Sequence, residues 1–159
     1  MRSDDNKEEL GLDFQPTRIV VAFDASQHSI SALKAAISIA EKYGSEITVI
    51  HCVVYPIVGY GEGEVYYNWD EYYSAEKKSI TKQYEPLKKN ARKRKVKIRI
   101  ILTEGTASVA ESLLLESKKI KPDLIVMGSR GLGGFKSLLL GSVSNAVVTH
   151  STIPVLIIK

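Results

Sequence analysis

The residues best placed to do chemistry are Gly128-Ser129-Arg130-Gly131, followed by Gly141-Ser142, in a G-x2-G-x9-G-S pattern. They come directly after the apolar run Leu124-Ile125-Val126-Met127. A buried strand therefore opens into a glycine loop, and the loop runs into a helix whose first turn carries hydroxyls. Glycines let a backbone approach an anion closely, and a helix N-terminus adds free N–H groups and positive partial charge. The chemistry this implies is phosphate binding on main-chain amides. The Walker pattern G-x-x-x-x-G-K-[ST] is absent, and so is the dinucleotide fingerprint G-x-G-x-x-G. Arg130 and Lys136 lie in the same segment, where each either neutralises phosphate charge or faces solvent.

Asp24 is the second candidate. It ends the apolar run Ile19-Val20-Val21-Ala22-Phe23. An acid there can accept hydrogen bonds from a ribose hydroxyl or an adenine amino group, or help to cap the following helix. Other chemistry finds no support. No G-x-S-x-G elbow occurs, and His28, His51 and His150 show no metal-ligand spacing. His51 and Cys52 are adjacent, so on a strand they point to opposite faces. Cys52 reads as a small buried hydrophobe rather than a reactive thiol. Catalytic residues are therefore not assigned.

The elements that must position these residues follow from periodicity. Ile19–Phe23 reads as a strand buried on both faces. Ser26 is a helix N-cap, Ile30, Leu33, Ile37 and Ala40 recur at helical spacing, and Gly44 closes that helix. A second strand spans residues 47–54. Residues 55–70 hold Pro56, three glycines and several tyrosines and read as a loop. Residues 71–95 read as helix with a kink or break at Pro86. Val96, Ile98 and Ile100 alternate with Lys97, Arg99 and Ile101, as in an edge strand. A helix over 107–120 has Thr106 as its cap candidate. Strand 124–127, helix 142–150 and strand 155–158 complete the chain.

Strands and helices alternate throughout, which predicts an α/β fold: one doubly wound five-stranded parallel sheet with helices on both faces. Orders 2-1-3-4-5 and 3-2-1-4-5 are both available. The half-exposed third strand favours 3-2-1-4-5, which makes strands one and four neighbours at the switch point where such sheets bind ligands. Asp24 and the glycine loop would then face one crevice. The other edge is the apolar strand Val155–Ile158, which predicts a homodimer through that edge.

Bulk properties set the frame. The chain has 159 residues, 44% of them hydrophobic, and a net charge of +4, as befits one ordinary globular domain. A flexible tail over 1–16 and a single domain over 17–159 are expected. The block Lys88–Lys95 concentrates positive charge. It reads as a solvated helix end rather than a nucleic-acid patch, because no aromatic residues interleave with it. One cysteine precludes an internal disulfide and suits a reducing cytoplasm. No apolar run reaches the roughly 20 residues that span a bilayer, and the first 15 residues lack a signal peptide's apolar core.

From Thr17 to Lys159 the chain resembles the universal stress protein family. The resemblance rests on Ile19–Ser26, on Ser151-Thr152-Ile153-Pro154 with the strand after it, and on Gly128, Gly131, Gly141 and Ser142, which are similar to the family's ATP-binding signature. It implies an adenine nucleotide alpha hydrolase-like fold and ATP as ligand. Asp24 and Ala22 would contact adenine or ribose, and Cys52 would take the place of an aliphatic residue against adenine. Met127 and Gly128 would line the nucleoside side. Gly131 and Gly141 would let the loop wrap the phosphates, while Ser142, Val143 and Ser144 would offer N–H groups and hydroxyls. Mg2+ or Mn2+ would be held by phosphate oxygens and water rather than by protein side chains. The family further implies a cytoplasmic homodimer paired through the last strand. One departure is that Gly105 is followed by Thr106-Ala107 where many members carry proline. The function expected is nucleotide-dependent regulation in stress response. The alternatives are a slow ATPase or phosphotransferase, and a binder of AMP or another adenylate.

Overall fold

The computed structural model describes residues 14–55, 68–104, 108–133 and 139–159. The elements run β1 (Arg18–Ala22), α1 (Gln27–Tyr43), β2 (Glu46–Val53), α2 (Trp69–Lys93), β3 (Ile98–Glu104), α3 (Val109–Ile120), β4 (Leu124–Gly128), α4 (Ser142–His150) and β5 (Val155–Ile158). The five strands form one sheet in the order β3-β2-β1-β4-β5, and every pairing is parallel. This is the 3-2-1-4-5 arrangement expected from the sequence.

Strand alternation divides the interior in two. Ile19, Val21, Ile47, Val49 and Val126 pack with Leu33 and Ile37 of α1 and Ile80 and Tyr84 of α2. Val20, Ile50, Ile125 and Met127 pack with Leu113 of α3 and Val147 of α4. Burial on both faces explains why β1 and β4 read as continuous apolar runs. At the amino-terminal ends of the strands, Asp123 ties the entry of β4 to the entry of β1. Its Oδ2 accepts from the amides of Thr17 and Arg18 at 2.8 and 2.9 Å and from the Thr17 hydroxyl at 2.7 Å. These bonds favour the ionised carboxylate and hold Asp123 below its ordinary range, the Thr17 hydroxyl contributing most.

Local signals account for most helix ends. The Ser26 hydroxyl accepts from the Ser29 amide at 3.2 Å. Gly44 ends α1 in the left-handed region with φ 71°, its N–H donating to Ala40. Two expectations about α2 are corrected. First, α2 begins at Trp69, inside the segment read as loop, because Asn68 caps it by accepting from the Glu71 amide at 3.2 Å. Second, α2 runs unbroken through Pro86. Pro86 and Lys82, whose carbonyl loses its donor, both lie on the exposed side of the helix. The buried stripe Ile80, Tyr84 and Ala91 holds the helix against the sheet on either side. The third strand starts at Ile98 rather than Val96, at the edge as expected. The cap of α3 is Ser108, whose side chain accepts from the Glu111 amide. Thr106, with Gly105 and Ala107, lies outside the described residues, as do residues 56–67 of the tyrosine-rich loop.

Candidate nucleotide crevice

Because β1 lies between β2 and β4, the segments leaving these strands diverge and open a crevice of about 800 Å3 at their carboxyl ends. All eleven residues singled out in the sequence line it: Ala22, Asp24, Cys52, Met127, Gly128, Arg130, Gly131, Gly141, Ser142, Val143 and Ser144. Lys136 lies outside the described residues.

One end of the crevice presents the open N-terminus of α4. Gly141 is the N-cap of α4 and offers no side-chain cap. The first intrahelical bond runs from the Asn145 amide to the Gly141 carbonyl at 2.9 Å. The amides of Ser142, Val143 and Ser144 therefore have no acceptor among the described residues, as the first turn of a helix dictates. Backbone bonds fix Ser129 and Gly141: the Ser129 amide donates to Ile158 of β5 and the Gly141 amide to Ser129, both at 2.7 Å. Arg130 is the one lysine or arginine among the lining residues described.

Asp24 faces this loop. Its Oδ1 accepts from the Ser26 amide at 3.0 Å and its Oδ2 from the Leu132 amide at 3.2 Å. Ala25 between them adopts φ 63°, a left-handed conformation that costs a non-glycine residue about 1–2 kcal/mol. That turn breaks the line of β1 and swings the acid across the crevice. Asp24 is thus both a turn-former and a crevice group, which joins the two readings the sequence left open.

Two expectations about the loop change. The Ser144 hydroxyl is buried and donates to the Gly128 carbonyl at 2.9 Å, so it anchors α4 to β4, while the exposed Ser142 hydroxyl has no partner among the described residues. Gly128 lines the crevice, but its lack of a side chain serves packing. A Cβ there would lie 2.6 Å from His28 Cβ and 2.7 Å from its carbonyl carbon. At Gly131 the added carbon would collide with Asp24 Oδ2. At Gly141 it would sit 3.4 Å from Arg130 Cα.

The other end of the crevice lies over β2. Cys52 faces α3, its thiol 3.8 Å from the Val109 carbonyl oxygen. Burial, reinforced by the charge of Glu116, pushes that thiol up to about 11. It is therefore a neutral wall residue, in line with the hydrophobe reading. His51 faces the opposite side, as adjacency on a strand requires, yet both residues border the crevice because β2 ends there. Its Nδ1 lies 2.8 Å from the Phe23 carbonyl oxygen and its Nε2 3.1 Å from Glu76 Oε1. Tyr72, one helical turn before Glu76, donates its hydroxyl to the Val54 carbonyl at 3.0 Å. Tyr72 and Glu76 were not legible as site residues. Their i,i+4 spacing marks one helix face, but nothing local says that this face meets the end of β2. No group of three or more metal-ligating side chains occurs among the described residues.

A parallel five-stranded sheet in this order, with helices on both faces and a helix N-terminus at its switch point, defines a Rossmann-like α/β domain. The sequence model of the universal stress protein family matches residues 16–159, and the chain belongs to that family. It is similar to a universal stress protein of Methanocaldococcus jannaschii, 35% identical over 144 residues that cover 89% of this chain and 81% of the relative. Among solved structures, a family member from Burkholderia pseudomallei superposes with a TM-score of 0.70 at 24% identity, covering 92% of this chain and 97% of its own. A family protein from Arabidopsis thaliana with AMP bound has a TM-score of 0.64 at 21% identity, with coverage of 91% and 92%. No helix among the described residues is long and apolar enough to cross a membrane.

Proposed function

We propose that this protein is an ATP-binding universal stress protein, a cytoplasmic homodimer whose partner contacts change with nucleotide state. The observation that carries the reading is that the amides of Ser142, Val143 and Ser144, residues that line the crevice Asp24 borders, have no acceptor among the described residues. A triphosphate tail supplies acceptors for those donors, and Gly131 and Gly141 leave room for it against the backbone. Asp24 is then the acceptor for ribose or base, and Ala22, Cys52, Met127 and Gly128 line the nucleoside. Arg130 adds charge along the phosphates. A divalent ion would ride on phosphate oxygens and water, since no group of three or more metal-ligating side chains occurs among the described residues. The dimer forms through the β5 edge.

Binding rather than turnover is the output. Each Asp24 oxygen accepts from one backbone amide and keeps a lone pair for the nucleotide, so this carboxylate ties the loop and the ligand together. A second reading, an AMP-sized adenylate, is favoured by the AMP complex of the Arabidopsis relative. Native mass spectrometry of the protein as purified, followed by calorimetric titration with ATP and AMP, tests both. Retained ATP, or ATP binding at least tenfold tighter than AMP (about 1.4 kcal/mol), supports the first. Equal affinities favour the second, and binding of neither refutes both.

A further inference from the structure

His51 is 5% exposed, and both of its ring nitrogens are committed. The Phe23 carbonyl can only accept, so Nδ1 carries a hydrogen. The Nε2···Oε1 contact with Glu76 then needs one more hydrogen on its axis. Either an imidazolium donates to a carboxylate, or a carboxyl group donates to a neutral imidazole. Both arrangements are neutral overall, so the pair does not repel a nucleotide's phosphates. Both also leave Glu76 Oε2 with no hydrogen. Whichever atom holds the proton, Oε2 can only accept.

The Glu76 side chain is 36% exposed and borders the crevice at the β2–α2 end. β1 separates β2 from β4, so this end lies two strand spacings, about 10 Å, from the glycine loop. With phosphates on that loop and on α4, the base of the bound nucleotide reaches toward β2. Cys52, Val109 and Leu113 line the crevice there and would form an apolar wall for its ring.

Resting on the adenylate reading above, we propose that Glu76, oriented by His51, selects the base: it accepts from the exocyclic amino group of a 6-aminopurine and rejects a 6-oxopurine. An amino group supplies the hydrogen that Oε2 lacks. A ring carbonyl in the same place sets two acceptors against each other with no hydrogen between them. A site built for one hydrogen-bonding pattern discriminates strongly against a ligand lacking it. Glu76 is the specificity residue, and His51 is a positioning residue that acts through it.

The test is calorimetric titration of AMP and IMP, which share ribose and phosphate, against wild type, Glu76→Gln and Glu76→Asp. Wild type is expected to prefer AMP by at least about tenfold. Glu76→Gln offers either an oxygen or an N–H to the base, and is expected to bring the two nucleotides within about threefold, chiefly by admitting IMP. Glu76→Asp keeps an acceptor on a shorter arm and is expected to weaken AMP while still preferring it. Circular dichroism confirms that each variant folds. Equal wild-type affinities for AMP and IMP overturn this proposal alone. A Glu76→Gln variant that keeps the wild-type ratio, or loses both nucleotides in parallel, also overturns it, because a purely structural role lowers both affinities together. Wild type that binds neither nucleotide overturns the adenylate reading and this inference with it.

Discussion

Asp24 Oδ2 accepts a hydrogen bond from the Leu132 amide at 3.2 Å, across 108 residues of chain. The acid that ends β1 thereby fixes the glycine loop that leaves β4. Gly131 stands against the same oxygen, with no room for a side chain. Gly131→Ala is therefore expected to push Asp24 aside and weaken ATP binding at least tenfold, about 1.4 kcal/mol. Gly141→Ala meets only Arg130 Cα at 3.4 Å and is expected to cost clearly less. Calorimetric titration of the two variants checks the order. Gly141→Ala proving the more damaging would contradict the role given to Asp24.

Gly128 predicts a stability effect instead. Its substituent would press on the Cβ and backbone of His28 in the first turn of α1, and backbone cannot swing away as a flexible side chain can. Gly128→Ala is expected to destabilise by about 1–3 kcal/mol, as overpacking does. In a protein of this size that lowers the melting midpoint by roughly 2–4 °C for each kcal/mol. Thermal denaturation followed by circular dichroism measures it. An unchanged midpoint would show that α1 yields freely.

These two glycines show where sequence reading stops. The parallel order, the edge strands, the Ser26 and Gly44 caps, Asp24, Arg130, Ser142 and the glycine pattern were legible from local spacing or from where an apolar run ends, whereas Ala22, Cys52, Met127, Val143 and Ser144 were named as site residues only through the family resemblance. That Gly128 answers to His28 and Gly131 to Asp24 was not, because those neighbours are set by the crossing of α1 over β4 and by the turn at Ala25. Ser144 misled for a similar reason. Its hydroxyl sits in the right helical turn, but rotation of α4 aims it at the Gly128 carbonyl. The passage of α2 through Pro86 needed knowledge of which side of the helix faces water.

Cys52 gives a pH-dependent prediction. Its thiol is pushed up to about 11 by burial and then by the charge of Glu116. Alkylation by iodoacetamide near pH 7.5 is expected to be far slower in the folded protein than in denaturant, because the thiolate is the nucleophile. A bound nucleotide should slow it further if the base lies against this wall. The raised value also carries a stability sign. Below the ordinary thiol value of 9.0 both states hold the proton and the contribution is fully present. Between there and about 11 only the folded state holds it, so stability falls as pH rises through that window. Rapid labelling near neutral pH would contradict the burial.

Tyr84 is almost fully buried, and its hydroxyl has no hydrogen-bond partner among the described residues. Burial, with the charge of Glu85 adding to it, pushes that hydroxyl up to about 12. Tyr84→Phe keeps the ring and removes the unsatisfied group, so stability should hold or rise by about 1–2 kcal/mol. Urea denaturation reads this directly. A loss above 1 kcal/mol (about fivefold in the folding equilibrium) would mean that the hydroxyl has a partner in solution.

The β5 edge tests the proposed dimer. Pro154 and Ile158 direct their carbonyls to β4, accepting from Ile125 and Ser129 at 2.9 and 2.7 Å. Alternate residues of a parallel strand bond to opposite sides, so Val155 and Ile157 present their amides and carbonyls outward. Ile157→Pro removes an outward donor while leaving the bonds to β4 in place, a position where an edge strand tolerates proline. In sedimentation velocity, wild type is expected to run as a dimer and the variant as a folded monomer. A variant that stays dimeric with native circular dichroism would move the interface away from β5. The α3–α4 groove, floored by Leu114, Ala146 and Ile153, would be the next surface to mutate.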